Sequence, residues 1–241
     1  MALSLDKEQK KVKLSLEKVT KKAVPPVQVK LLPDVSGSMM THYDKNNGYM
    51  YPILQRSIAL ASIIDPDKVV QIIAFDTDAY ELGDFGVDKF DDIWKEFNTN
   101  KYWGGTNYAA AFNKVLETRT PTSVTQKAKG FFGRLLGKTE TVQGTPVTTE
   151  PELIIFFTDG ADGGSDAKFL NAVNQVLDKN TYLMCIGAGG SEHYYTRLKR
   201  LADERDNVGF VYFNDARTLS DDTFYDTILS GELGEWLEQF A

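Results

Sequence analysis

The chain has one cysteine and two histidines among its 241 residues, and both scarcities exclude chemistry. Cys185 has no partner for an internal disulfide, and its setting, Tyr182-Leu183-Met184-Cys185-Ile186, reads as a buried strand thiol. This cysteine usage suits a reducing interior, so a cytoplasmic location is expected. His42 and His193 have no His or Cys at ligand spacing, which argues against zinc. No apolar run approaches the ~20 residues that span a bilayer. The opening Met1-Ala2-Leu3-Ser4-Leu5-Asp6 lacks the basic-then-apolar order of a secretory leader. Neither a transmembrane helix nor a signal segment is expected.

The net charge of −7 is unevenly spread. Residues 6–30 carry eight lysines against Asp6, Glu8 and Glu17, and residues 119–138 carry five basic residues and no acid. The remaining body is strongly acidic. Such a surface repels nucleic acid and attracts cations, although it also serves plain solubility.

Apolar runs alternate with helical periodicity through most of the chain. Strands are predicted at Val27–Leu31, Lys68–Phe75, Leu153–Phe157, Tyr182–Ile186 and Val208–Phe213, with a short antiparallel strand over Ala79–Leu82. Helices are predicted over Tyr49–Ile64, Asp88–Phe97, Tyr108–Leu116, Asp166–Leu177, Glu192–Ala202, Thr223–Leu229 and Glu232–Phe240. The pattern predicts an α/β fold, a mostly parallel sheet with one antiparallel edge strand and helices on both faces. Residues 1–26 read as a basic arm before a domain over 27–241. Val12, Leu14 and Leu16 alternate there, so a short edge strand and a solvated arm are equally compatible with the pattern. Lys30 and Pro33 are awkward in a central strand, one for its charge and the other for its missing N–H.

Residues 118–150 read as an inserted surface segment, in which Phe131, Phe132, Leu135 and Leu136 would share one helical face. Docking of that face on its own domain is the main reading, and a partner- or membrane-surface helix over 127–138 the lesser one. Gly133 to Thr139 imitates a phosphate-binding loop but has three residues between its glycines instead of four, and no strand leads into it. Asp159 to Gly164 fails as a calcium loop because Ala161 fills a ligand position and no glutamate closes it. Gly187-Ala188-Gly189-Gly190 lacks the third glycine of a dinucleotide fingerprint.

Three turns carry the chemistry. Asp34-Val35-Ser36-Gly37-Ser38 aims one carboxylate and two hydroxyls at one point. Gly104-Gly105-Thr106 precedes a helix, where an N-cap threonine is the plain explanation. Thr158-Asp159-Gly160 ends the third apolar strand. In an open parallel sheet, ligands bind outside the carboxyl ends of the strands. Asp34, Ser36, Ser38, Thr106 and Asp159 therefore form a set of hard oxygen donors on one rim, suited to Mg²⁺. Asp44, Asp76, Asp78 and Asp162 are less specific, and Asp162 reads as a turn residue.

These motifs resemble those of a von Willebrand factor A (vWA) domain with a complete metal-ion-dependent adhesion site. Residues 186–190 and the ending from Phe224 to Leu237 are similar to the TerF-type domain of bacterial tellurite-resistance proteins. The resemblance implies a Rossmann-like vWA fold. It also implies direct Mg²⁺ ligation by Ser36, Ser38 and Thr106, with Asp34 and Asp159 holding coordinated waters or ligating; Mn²⁺ or Ca²⁺ could substitute. The cation would recruit an Asp or Glu carboxylate from a partner protein, a binding role rather than an enzymatic one. The residues themselves leave two alternatives open: a structural subunit of a bacterial or viral assembly, and a Mg²⁺-dependent phosphohydrolase using Asp34. The latter is the weaker, since Ser36 stands where such enzymes place a second aspartate.

Overall fold

The computed structural model describes residues 5–20, 23, 26–97, 101–119, 123–127, 139–143, 150–160 and 162–240. Along the chain run α1 (Leu5–Val19), β1 (Gln28–Pro33), α2 (Met50–Ile64), β2 (Val69–Phe75), β3 (Ala79–Gly86), α3 (Phe90–Phe97) and α4 (Tyr108–Thr118). Then come β4 (Ser123–Lys127), β5 (Thr139–Gln143), β6 (Glu152–Thr158), α5 (Asp166–Val176) and β7 (Thr181–Ala188). The chain ends with α6 (Thr196–Asp203), β8 (Val208–Phe213), α7 (Asp221–Leu229) and α8 (Glu232–Glu238).

Six strands make one sheet in the order β3-β2-β1-β6-β7-β8, parallel except for the β2–β3 pair. The period of two along each strand divides the core. Leu153, Ile155 and Phe157 of β6 face a cluster containing Val12, Ile53, Leu54, Phe97, Phe224 and Trp236. Ile154 and Phe156 face the opposite cluster, with Tyr108, Phe112, Phe169 and Leu198. Helices therefore cover both faces, as the continuous apolar runs predict.

Pro33 fits the centre of the sheet because only one side of β1 is interrupted. Pairing with β6 runs unbroken from Gln28 to Pro33. Pairing with β2 covers Lys30 and Leu31 and returns as a single bridge, Asp34 to Phe75. The N–H that proline lacks falls on the β2 side. Lys30 is buried beside Gln71, with Nζ 3.5 Å from Glu152, so its charge has a partner.

The N-terminal segment is neither an edge strand nor a solvated arm. It is the helix α1, and it packs against α2 and α7. Val12 and Leu16, four residues apart, are buried, whereas Leu14 between them is 59% exposed. Burying a valine or leucine contributes about 1.5–3 kcal/mol, which lysine-rich flanks do not oppose when they face water.

β4 and β5 pair antiparallel as a separate two-stranded sheet inside the inserted segment. The helical face expected for Phe131, Phe132, Leu135 and Leu136 lies outside the described residues. Among the described residues, no helix is long and apolar enough to cross a membrane.

The chain leaves β1 for α2 on one face and reaches β2. It leaves β6 for α5 on the other face and reaches β7. The crevice between the carboxyl ends of β1 and β6 is thus the topological switch point, where ligands of open α/β sheets bind.

Candidate metal centre

Asp34 stands at that switch, fully buried. Its amide donates to Phe157 of β6 at 3.0 Å, and its carbonyl accepts from the Tyr43 hydroxyl at 2.8 Å. Both carboxylate oxygens are engaged: Oδ1 accepts from the Ser36 amide at 2.8 Å, and Oδ2 from the Thr158 hydroxyl at 2.8 Å. Burial pushes this carboxyl up to about 7, against the pull of hydrogen bonds from Ser36 and Thr158 and with a push from Asp159.

The Asp34 to Ser36 turn leads into a 3₁₀-helix over Gly37–Tyr43 that the sequence pattern does not announce. It is anchored by buried Met39 and Tyr43, and the hydroxyls of Ser36 and Ser38 stand 3.2 Å apart. Ser36 is buried and Ser38 exposed.

The Trp103–Thr106 turn is tied to the serine turn by the backbone. Gly37 N–H donates to Gly104 O at 2.9 Å, and Trp103 N–H to Val35 O at 3.0 Å. Capping does not explain Thr106, because the N-cap of α4 is Asn107, whose side chain accepts from Ala110. Thr106 is half-buried immediately before it. The third turn approaches as well: a Cβ on Gly163 would lie 3.9 Å from Thr106 O. Asp159 is half-buried after β6, and its charge acts on Asp34 and on His42. Burial holds His42 below its ordinary pKa, opposed by Asp159 and reinforced by Arg217.

Asp162 is a turn residue. Its Oδ1 accepts from Gly164 N–H at 2.8 Å, and Arg197 pairs with its Oδ2. Asp44 likewise accepts from Asn46 and Asn47 in a turn. Sequence reasoning left Asp76 among the less specific carboxylates and passed over Thr77 beside it in the β2–β3 turn, where both bond to the glycine pair. The signal was available as two acceptor side chains closing a strand of the same sheet edge.

A family model described as vWA-TerF-like, a vWA found in the TerF C terminus, matches residues 26–130 and 137–241. The chain belongs to this vWA family. The uncharacterized protein YcbR of Bacillus subtilis (strain 168) is 24% identical over 243 residues, covering 98% of this chain and 87% of that one. Among solved structures, a von Willebrand factor type A protein from Catenulispora acidiphila superposes with a TM-score of 0.53 at 15% identity. That match covers 86% of this chain but only 43% of the other, so the chain spans less than half of that protein. The manganese-loaded TRAP protein of Plasmodium vivax gives a TM-score of 0.51 at 20% identity, covering 85% of this chain and 72% of that one. At these identities the likeness shows the vWA fold alone.

The donor chemistry suits a hard divalent cation. Two adjacent ligands of octahedral Mg²⁺ at about 2.1 Å stand about 3.0 Å apart, close to the Ser36–Ser38 hydroxyl separation of 3.2 Å. Among the described residues, no three His, Cys, Asp or Glu side chains cluster as a metal-holding group. A cation at this vWA rim would therefore rest largely on hydroxyl oxygens.

Proposed function

We propose that this vWA domain is a metal-ion-dependent protein-binding module. Ser36, Ser38 and Thr106 would ligate Mg²⁺ directly, with Asp34 and Asp159 orienting its waters or ligating; Mn²⁺ or Ca²⁺ would substitute. A bound dication supplies a Lewis-acidic position for an external carboxylate, from an Asp or Glu of a partner protein. Neutral hydroxyls compensate little of the ion's charge, which favours that outside ligand, although desolvation offsets part of the gain. The observation that carries this reading is the hydroxyl pair of Ser36 and Ser38, 3.2 Å apart beside a buried aspartate.

Two further observations support it. Met40 and Tyr194, two of the three exposed large apolar side chains among the described residues, lie on this rim. Met40 stands two residues past Ser38, and Tyr194 Cβ is 2.8 Å from where a Cβ on Gly160 would stand. Aromatic and methionine side chains are enriched at protein interfaces. The TRAP structure, sharing the fold, is manganese-loaded. The TerF description of the family makes a bacterial tellurite-resistance or stress system the setting we favour.

A phosphohydrolase reading is disfavoured because both Asp34 oxygens are held by protein donors, which leaves a poor nucleophile. A structural-subunit role predicts that chelation lowers stability without releasing a partner. The test is affinity capture from native extract in Mg²⁺ and in EDTA, followed by Asp→Asn and Glu→Gln scanning of the recovered partner. Release by EDTA and loss through one partner acid are expected. Capture indifferent to EDTA and to Ser36→Ala overturns the reading.

A further inference from the structure

We infer that Asp76 and Thr77, in the turn after β2, are positioning residues that fix where the Thr106 hydroxyl stands; the inference rests on the reading of Thr106 as a cation ligand. These two residues grip the backbone on both sides of Thr106. Gly104 N–H donates to Asp76 Oδ2 at 2.9 Å, and Gly105 N–H to Thr77 Oγ1 at 2.8 Å. Beyond Thr106, Asn107 N–H donates to Asp76 O at 2.8 Å and Asn107 Nδ2 to Thr77 O at 3.1 Å.

The glycine pair reports the same close approach independently. A Cβ on Gly104 would stand 2.8 Å from Thr77 Oγ1 and 2.9 Å from Asp76 Oδ2, and one on Gly105 would stand 3.3 Å from Thr77 Oγ1. Side chains at these positions would push the turn off its brace. Gly104 and Gly105 are exposed and bury no side chain of their own, so hydrogen bonds and not packing define their path. The preceding Trp103 sits at φ 82°, a left-handed conformation that persists only where its surroundings over-determine it.

Asp76 is itself locked. It is buried, and its Oδ1 accepts from Asp78 N–H and from the Tyr80 hydroxyl, each at 3.1 Å. The hairpin edge of the sheet thereby sets the height of the Thr106 turn against the serine turn. Thr77 is exposed, so changing it perturbs the turn without opening the core. Asp76→Asn would set an amide N–H₂ either against Gly104 N–H or against Asp78 N–H and the Tyr80 hydroxyl, and so endanger folding, which makes Thr77 the test position.

Wild type, Thr77→Val and Thr77→Ser are compared by calorimetric titration with Mg²⁺ and by amide hydrogen exchange in EDTA. Outer partners of metal ligands are typically worth 10–100-fold in affinity, so Thr77→Val should bind Mg²⁺ about tenfold more weakly. In EDTA its Gly105 amide should exchange faster than in wild type. Thr77→Ser, which keeps the acceptor oxygen, should restore both. Equal Mg²⁺ affinity in wild type and Thr77→Val overturns the positioning role, as does a Ser variant no better than Val. A wild type that takes up no Mg²⁺ overturns the reading of the site instead. The exchange arm then bears on the brace alone, and Gly105 exchange unchanged by Thr77→Val overturns that as well.

Discussion

The Thr158 hydroxyl donates to Asp34 Oδ2 at 2.8 Å, joining the end of β6 to the end of β1. With that proton committed, Thr158 Oγ1 accepts from the Tyr108 hydroxyl at 2.9 Å and from Gly160 N–H at 3.1 Å. With Asp34 ionised the bonds run from Tyr108 to Thr158 to Asp34, and all three residues are buried. Thr158→Val removes a donor from a buried carboxylate and strands the tyrosine hydroxyl. Urea unfolding should show a loss of about 1–3 kcal/mol, and Thr158→Ser should recover most of it. Full stability in the valine variant would mean the relay holds nothing.

Asp34 also sets a pH dependence for the metal-free protein. Burial raises its carboxyl from the ordinary 3.8 to about 7. Between those values the folded chain keeps a proton that the unfolded chain has lost, so stability falls as pH rises through the window and levels off above it. Unfolding free energies in EDTA should decline from pH 5 toward pH 7, and Asp34→Asn should flatten that slope whatever its absolute stability. A divalent ion competes with the same proton, so stabilisation by Mg²⁺ should grow with pH over this range. A wild-type slope equal to that of Asp34→Asn would place the titration elsewhere.

What the sequence reveals here depends on whether one period dominates. β6 and β7 are buried on both faces, and their apolar runs mark them without ambiguity. β3 is legible only at its start, because Gly83, exposed Asp84 and Gly86 leave Phe85 as the one apolar side chain after Leu82. In α1, Val12, Leu14 and Leu16 suggest a period of two, but only Val12 and Leu16 face the core. The helical set of Glu8, Val12, Ser15 and Leu16 is hidden because two of its four members are polar. The turns at Asp34 and Asp159 could be picked out because each follows an apolar run, and the one at Thr106 because a glycine pair stands just before a helix. The Asp76–Thr77 turn follows an apolar run too, but its tie to the glycine pair is not legible, since those bonds join residues 28 or more positions apart.

The N-terminal helix should be integral to stability. Asp221 at the start of α7 accepts from Arg56 Nε at 3.0 Å and pairs with Lys11 of α1, while Tyr225 donates to Glu8 at 2.8 Å. Arg56 and Asp221 are both buried. Asp221→Ala leaves a buried guanidinium without its counter-charge, a loss of about 3–5 kcal/mol. Chemical denaturation should show it, with a smaller effect for the more exposed Lys11→Ala. Deleting residues 1–20 should lower the melting temperature more than either, because it uncovers Val12, Leu16 and the apolar surface they cover. A truncated chain as stable as the full one would show that α1 is dispensable.

The inserted segment leaves and re-enters the domain at the end of the sheet opposite Asp34. Gln28 and Glu152, the first residues of β1 and β6, pair there, and Gln28 Nε2 donates to Glu150 at 3.0 Å. Arg119, at the close of α4, is buried at the same end. Its Nη1 donates to Val176 O at 2.7 Å, and its Nη2 reaches Glu152 and Thr181. Both ends of the segment are thus tied to the body of the domain by described residues. Replacing residues 120–148 with a short Gly/Ser linker should leave the Mg²⁺-induced rise in melting temperature unchanged. Arg119→Ala should instead cost about 1–3 kcal/mol, since it removes the donors to Val176 O and Thr181 and leaves Glu152 with Lys30 as its counter-charge. Loss of the Mg²⁺ response in the linker variant, with Arg119 intact, would show that the segment reaches the opposite rim.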